Sequence, residues 1–168
     1  MQEAQIYAEG DWIVHVNYGI GQIKGIDAKT ISGEEMPYYR IEASDSTFWM
    51  PVGRMDSETL RPLSTPEEIR EAIATLGNPP KKMSSNFKIR QNRIQRVRIH
   101  NTPRAIARLV RDLRAWKRKK GMFNQTERIA YRTLKQLLIE EWAIVIGMKA
   151  ERAELELDLL LSKSNVPG

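Results

Sequence analysis

Two different periods divide the chain. From Asp11, the apolar residues Trp12, Val14 and Val16 alternate with Ile13, His15 and Asn17. A period of two is the mark of a strand with one buried face. Tyr18-Gly19-Ile20-Gly21 then predicts a bend, since glycine relieves the steric limits on tight curvature. Residues 22–26 read as a second strand, which Lys29-Thr30-Ile31 continues or follows. Ser32-Gly33-Glu34 is a turn signal, residues 38–42 the next strand, Ser44-Asp45-Ser46 the next turn, and residues 47–52 a further strand. Pro51 has no ladder donor and belongs at a strand end or on an edge. Short strands with close turn signals over about 60 residues predict a small antiparallel barrel of the SH3 or Tudor kind.

At Leu63 the period lengthens to that of a helix. Thr65-Pro66-Glu67-Glu68 places a threonine cap, a proline at the first helical position and a glutamate three residues beyond the cap, which together start a helix. That helix should end near Leu76, with Gly77 beyond it. Asn78-Pro79-Pro80 is a rigid break. A second helix is expected over about residues 85–99. Thr102-Pro103 opens a third, closed by Gly121. Asn124 and Glu127 have capping-box spacing for a fourth, interrupted at Gly147, and residues 149–162 form a last one. The fold class is therefore α+β by segregation: a β-barrel over residues 1–63, then an all-α bundle of about five helices over residues 64–168.

Charge sharpens this division. Residues 1–63 carry five Lys/Arg and ten Asp/Glu, whereas residues 64–168 carry twenty-two and eleven. An acidic module joined to a basic one predicts different partners for the two. Within residues 81–120 there are fifteen Lys/Arg and a single acid, Asp112. Apolar residues run through this block at helical spacing, so it is not a disordered tail. At about 100° per residue, Ile106, Leu109, Val110, Leu113 and Trp116 share one face. Arg104, Arg108, Arg111 and Arg118 fall on the opposite one. A helix with its back in a core and guanidiniums outward suits a phosphate backbone, bound with strong salt dependence and little sequence information. The bland reading is a solvated helix face of unusual charge.

Candidate catalytic chemistry is sparse. The chain has no cysteine, which excludes disulfides, thiolate metal sites and cysteine nucleophiles and fits a reducing cytoplasm. The N-terminal MQEAQIYAEGDW has neither the basic nor the apolar region of a secretory signal. No apolar run approaches the roughly 20 residues of a membrane span. Of the two histidines, His15 alternates with the apolar residues of its strand and is expected to face solvent or the rim. His100 stands at a helix end, where a cation favours the dipole. No glycine-rich phosphate loop is present. Glu140 and Glu141 are adjacent and so diverge on a helix. The expectation is a cytoplasmic non-enzyme without cofactor or metal, which does not enter a membrane.

Two sets of apolar residues invite a binding role. Phe87 lies in SSNFKIRQ at a positively charged helix start, where a large ring could insert at a base step and unstack it. It could equally close its helix onto the bundle, since Phe87, Ile94 and Val97 lie within about 80° of arc. In the barrel, Lys29, Ile31 and Trp49 are candidates for a docking edge, where a partner adds a strand. Core packing is the competing reading for Ile31 and Trp49.

The stretch GDWIVHVNYGIGQIKGIDAKTISGEEMPYYRI resembles the opening of CarD/CdnL bacterial transcription regulators, with its Gly-x-Gly segment, basic-Thr-Ile-x-Gly hairpin and Tyr-containing strand. LVRDLRAWKRKKG and TERIAYRTLKQLLIEE continue the resemblance, which covers residues 9–163. It implies a Tudor-like domain, shared with transcription-repair coupling factors, that binds the β subunit of RNA polymerase. It also implies a helical domain that contacts promoter DNA at the upstream edge of the transcription bubble and stabilises the melted state. The family's wedging Trp is matched by Phe87, which lacks the indole N–H. Polymerase contacts carry over to Lys29 and Ile31, while Trp49 stands where the family has an Arg. The basic stretch that begins with Lys88, Arg90 and Arg93 keeps the family's character but not each position. Arg128 matches a DNA-contacting Lys if one residue is inserted in the preceding loop. The family's Pro in the opening motif is Val16 or Asn17 here. The expected partners are thus the RNA polymerase β subunit and promoter DNA, met by a monomer. The alternative is a general nucleic-acid-binding protein, for structured RNA or DNA, not tied to polymerase. The net negative charge of the barrel weighs against RNA reading there.

Overall fold

The structure is a computed structural model that describes residues 7–54 and 59–164. The chain divides into two compact units, Met1–Leu63 and Ser64–Gly168.

The first unit is a five-stranded antiparallel sheet: β1 Trp12–His15, β2 Gly19–Ile31, β3 Glu34–Ala43, β4 Thr47–Pro51 and β5 Leu60–Pro62, in the order β4-β3-β2-β1-β5. A short 3-10 turn, Val52–Arg54, follows β4. Both edge strands contribute to one core, in which Phe48 of β4 and Leu60 of β5 join Tyr7, Ile13, Ile23, Tyr39 and Ile41. The sheet thus curls onto itself, as a small barrel of the Tudor kind requires. Two features of β2 allow this. The pairing shifts between Ile23↔Ile41 and Gly25↔Arg40, leaving Lys24 as an extra residue; such a bulge bends its strand. At Gly21, a Cβ would stand 2.5 Å from Cγ2 of Ile41, so only glycine lets β2 cross β3 this closely. The β2–β3 hairpin closes through Ser32 and Gly33, both at positive φ (57° and 85°), the mirror-image turn that matches strand twist.

Of the two alternatives, residues 29–31 continue β2 rather than follow it; Gly19, Ile20 and Gly21, expected at a bend, belong to the same strand, and β5 was not anticipated. The largest difference is at β1. Ile13, Val14 and His15 are all buried, so strict alternation fails. His15 does not face solvent. Its ring lies against Tyr18 and Phe48 at 4.8 and 5.5 Å between centroids. Its Nδ1 accepts from the backbone N–H groups of Asn17 (3.0 Å) and Tyr18 (3.2 Å). The reason is the choice of face: His15 lies two residues beyond Ile13 and so on the same side of β1, and that side is the one turned to the core that holds Phe48.

The second unit contains α1 Pro66–Leu76, α2 Phe87–Ile99, α3 Pro103–Lys120, α4 Gln125–Ile146 and α5 Ala150–Lys163. Local chemistry sets the boundaries. Thr65 and Glu68 close a reciprocal capping box (3.1 and 3.0 Å), as do Asn124 and Glu127 (2.8 and 3.2 Å). Thr102 caps α3, and Gly121 and Gly147 end α3 and α4 in the left-handed conformation, where a Cβ is penalised. Gly77 ends α1 in the right-handed region instead. The core joins Ile69 and Leu76 of α1, Ile94 of α2, the predicted α3 stripe, Leu138 of α4 and Leu157 of α5. Each such side chain contributes about 1.5–3 kcal/mol when buried, so the basic helix α3 is held by its back. No helix among the described residues is long and apolar enough to cross a membrane.

Candidate nucleic-acid interface and docking edge

The basic block separates into cations that hold the fold and cations that remain outward. Asp112 is fully buried. Its carboxylate accepts from Nε of Arg111 (3.0 Å), from a terminal guanidinium nitrogen of Arg93 (2.7 Å) and from the backbone N–H of Lys81 (2.8 Å). Arg111 also donates to the carbonyl of Thr75 on α1 at 3.2 Å and is only 5% exposed. This corrects the expectation that Arg111 faces outward with Arg104. The helical angle is right, but α1 packs over that part of α3 and offers a carbonyl to the guanidinium. Arg93 is likewise tied down, with its other terminal nitrogen 3.2 Å from the Met83 sulfur.

Arg90 is also structural. It donates to the carbonyls of Ser84 and Ser85 at 3.0 Å each. Its guanidinium lies 4.5 Å from the centre of the Trp116 ring and its Nε 3.7 Å from the buried Glu127 carboxylate. Arg90 and Arg111 are therefore drawn into the protein, and Arg93 is held by Asp112 with part of its side chain exposed. They join α2 to α3 and, through Glu127, to the first turn of α4.

Lys88, Arg104, Arg108 and Arg128 are exposed, and no ion pair among the described residues engages them. Phe87 is the first residue of α2. Asn86 caps that helix, its side-chain oxygen accepting from the N–H groups of Lys88 (2.9 Å) and Ile89 (3.3 Å). Phe87 is 55% exposed, so the packing reading fails: Ile94 and Val97 turn into the core and Phe87 does not. Ile89, 56% exposed, adds a second apolar side chain that sequence reasoning passed over. Its one sequence signal was position, two residues after Phe87 in the same uncovered first turn. A half-exposed aromatic ring on a capped helix start, beside Lys88, can present a flat apolar edge to a base step.

On the β unit, β4 is an edge strand with one side unpaired within the sheet. Asp27, Lys29 and Ile31 follow one another at a period of two on β2, and Arg40 pairs with Trp49 across β3 and β4. The Asp27 carboxylate joins them: it accepts from the Trp49 indole N–H at 2.9 Å and pairs with Arg40 at 2.8 Å. The indole bond first, and then Arg40, hold its carboxyl below the usual carboxylate range. Nζ of Lys29 lies 3.3 Å above the Trp49 ring. Ile31, Met36 and Trp49 are exposed, so core packing is overturned for Ile31 and Trp49. Asp27, Met36 and Arg40 were not singled out beforehand; the period-two run Asp27-Lys29-Ile31 was the available signal. The surface offers a free strand edge, exposed apolar groups and a charge pair that fixes the indole.

Among the described residues no group of three or more His, Asp or Glu side chains is placed to hold a metal ion. Two family models match the chain. The one described as the CarD-like/TRCF RID domain covers residues 7–64, and the one described as the CarD C-terminal domain covers residues 71–158.

Proposed function

We infer the function of this protein from one premise: the chain belongs to the CarD family of RNA-polymerase-interacting transcription regulators. On our reading its β unit docks on the polymerase β subunit through the β4 edge and the face beside it, with Trp49 of β4 and Lys29 and Ile31 of β2 as contacts. Its helical unit meets promoter DNA at the upstream edge of the bubble. Lys88, Arg104, Arg108 and Arg128 neutralise phosphates, and Phe87 enters the minor groove at a base step and favours the open complex. The protein acts as a cytoplasmic monomer, carries out no chemistry of its own and needs no cofactor.

The observation that carries this reading is the exposure of Phe87 at the start of α2, 55% open to solvent and followed by the exposed Lys88 and Ile89. An apolar ring left more than half exposed adds little to the fold beyond the Arg90 guanidinium 5.9 Å from its centre. At an unstacked base step the same ring is buried.

Phe87→Ala separates the wedge from simple attraction. Because the side chain is half exposed, the variant should lose less than about 1 kcal/mol of stability. It should shorten open-complex lifetime several-fold while changing duplex affinity little. Equal losses in the two assays remove the wedge. Failure of the wild-type protein to bind core polymerase in a pull-down removes the docking half of the reading.

A further inference from the structure

Between the C-terminal half of α2 and the N-terminal half of α3 lies a cleft of about 520 Å³. Lys81, Arg93, Arg96, Arg108 and Arg111 line it, together with His100, against one carboxylate, Asp112. That carboxylate is not available to anything entering the cleft. It is fully buried and already accepts from Arg111, Arg93 and the N–H of Lys81. Asp112, Arg93 and Arg111 thus form a braced back wall. The side chains of Arg96 and Arg108 are exposed and have no hydrogen-bond or ion-pair partner among the described residues. Two free guanidiniums from different helices, with a lysine and an imidazole at the rim, face one concavity.

We propose that this α2–α3 cleft is a phosphate-binding site separate from the Phe87 surface, and that Arg96 and Arg108 are its principal ligands. Like charges lining one concavity repel one another until an anion arrives. A planar guanidinium presents paired donors that match phosphate oxygens, and two of them suit successive phosphates of one backbone. Arg96 is nine residues beyond Phe87, about 180° around the helix at 100° per residue, so the ring and the cleft lie on opposite sides of α2 and the cleft is a second contact rather than a continuation of the first. The assignment to a DNA backbone rests on the DNA-binding reading above. The phosphate chemistry of the cleft does not, since a free polyphosphate presents the same oxygens.

The test uses the full chain and the Arg96→Gln/Arg108→Gln double variant. Binding to a labelled duplex is followed by anisotropy across a range of salt concentrations. Each lost phosphate contact removes about 0.9 from the slope of log K against log salt, so the double variant should lose about two units. Phe87→Ala should leave the slope unchanged. In a parallel arm, inorganic triphosphate is titrated against the wild type and the double variant, with the His100 imidazole resonances as the readout. A loss of about two units in the double variant supports the site with the duplex as its source, whatever triphosphate does. A loss of about one unit or less, with DNA still bound, overturns the cleft, since Arg108 alone accounts for one unit, and leaves the DNA reading to Phe87, Lys88, Arg104 and Arg128. If the wild type binds no duplex, the DNA reading fails and the triphosphate arm decides. A saturable His100 shift lost in the double variant then supports a site for a free polyphosphate, and no shift overturns it.

Discussion

Asp112→Ala tests whether the central acid of the basic block is a structural counter-ion. The side chain is fully buried and three donors converge on it. Removing it leaves the Arg111 guanidinium, itself 5% exposed, with only the Thr75 carbonyl for company. Breaking a buried pair by deleting one partner costs about 3–5 kcal/mol. The backbone N–H of Lys81 loses its acceptor as well, worth about 1 kcal/mol. The Arg93 side chain is 27% exposed, so water takes over part of that contact and it adds little. The total, about 5 kcal/mol, is a large part of the 5–15 kcal/mol typical of a domain. With a urea slope of about 2 kcal/mol per molar, the midpoint should fall by about 2.5 M. Unfolding followed by helical circular dichroism reports the second unit, because the first has no α-helix among its described residues. Asp112→Asn keeps the shape but leaves the charge uncompensated, and should retain most of the loss. Replacing the pair by apolar groups, Asp112→Leu with Arg111→Met, should recover part of it. A loss below 1 kcal/mol in Asp112→Ala would refute the reasoning and return Arg111 to the set of available surface cations.

Two further outcomes follow from the β unit. Burial holds the His15 imidazole below its ordinary value of about 6.5, because protonation in this aromatic pocket is disfavoured and would also abolish the Nδ1 acceptor. His15 therefore contributes stability that is full above about pH 6.5 and is lost as pH falls from there through the depressed folded value. His15→Asn supplies an acceptor that does not titrate, so urea midpoints measured between about pH 7 and 5 should lose this acid-side slope; a slope identical to wild type rejects the assignment. Trp49→Phe removes the indole donor to Asp27 while leaving a ring beneath Lys29. The Asp27 pKa, followed by carboxyl NMR, should rise toward the ordinary carboxylate value, and no change would mean that Arg40 alone sets it.

Much of the helical unit is legible in the sequence because its signals are local. Thr65-Pro66 with Glu68, Thr102-Pro103, and Asn124 with Glu127 each act within one turn of the chain. The buried stripe of α3 follows from periodicity alone. The fate of individual arginines does not. Arg104 and Arg111 share a helical angle, yet one is exposed and the other buried. The difference is the Thr75 carbonyl, 36 residues away from Arg111 in sequence. His15 is misread for a related reason: alternation gives two faces but not which one meets the core, and here it is the face of Ile13 and His15, against Phe48 from β4. β5 is only three residues long and ends in Pro62, too short to carry a pattern. Phe87 could not be settled by angle, because the end of a helix can project past the core that its middle packs against.

On the proposed reading, magnitudes explain why an acidic docking unit and a basic DNA unit share one chain. With Arg90 and Arg111 taken into the fold and Arg93 paired with Asp112, the surface cations proposed to meet phosphate are Lys88, Arg96, Arg104, Arg108 and Arg128. Five phosphate contacts at a slope of about 0.9 each make affinity fall roughly five-hundredfold between 50 and 200 mM salt. Non-specific binding near 10⁻⁴ M, the weak end of what such surfaces reach at physiological salt, would leave the helical unit mostly free. A strand-edge contact with apolar anchors at Ile31 and Trp49 depends on backbone hydrogen bonds and burial, which salt barely screens. Once that contact holds the chain on polymerase, an effective concentration on the order of 1 mM, typical of a short flexible link, occupies a 10⁻⁴ M site about nine-tenths of the time. The net negative β unit would in addition be repelled by bare DNA, so the same chain disfavours promoters without polymerase and favours those where polymerase already waits. The charge asymmetry then acts as a selectivity device, and a weak DNA surface is a requirement of that device.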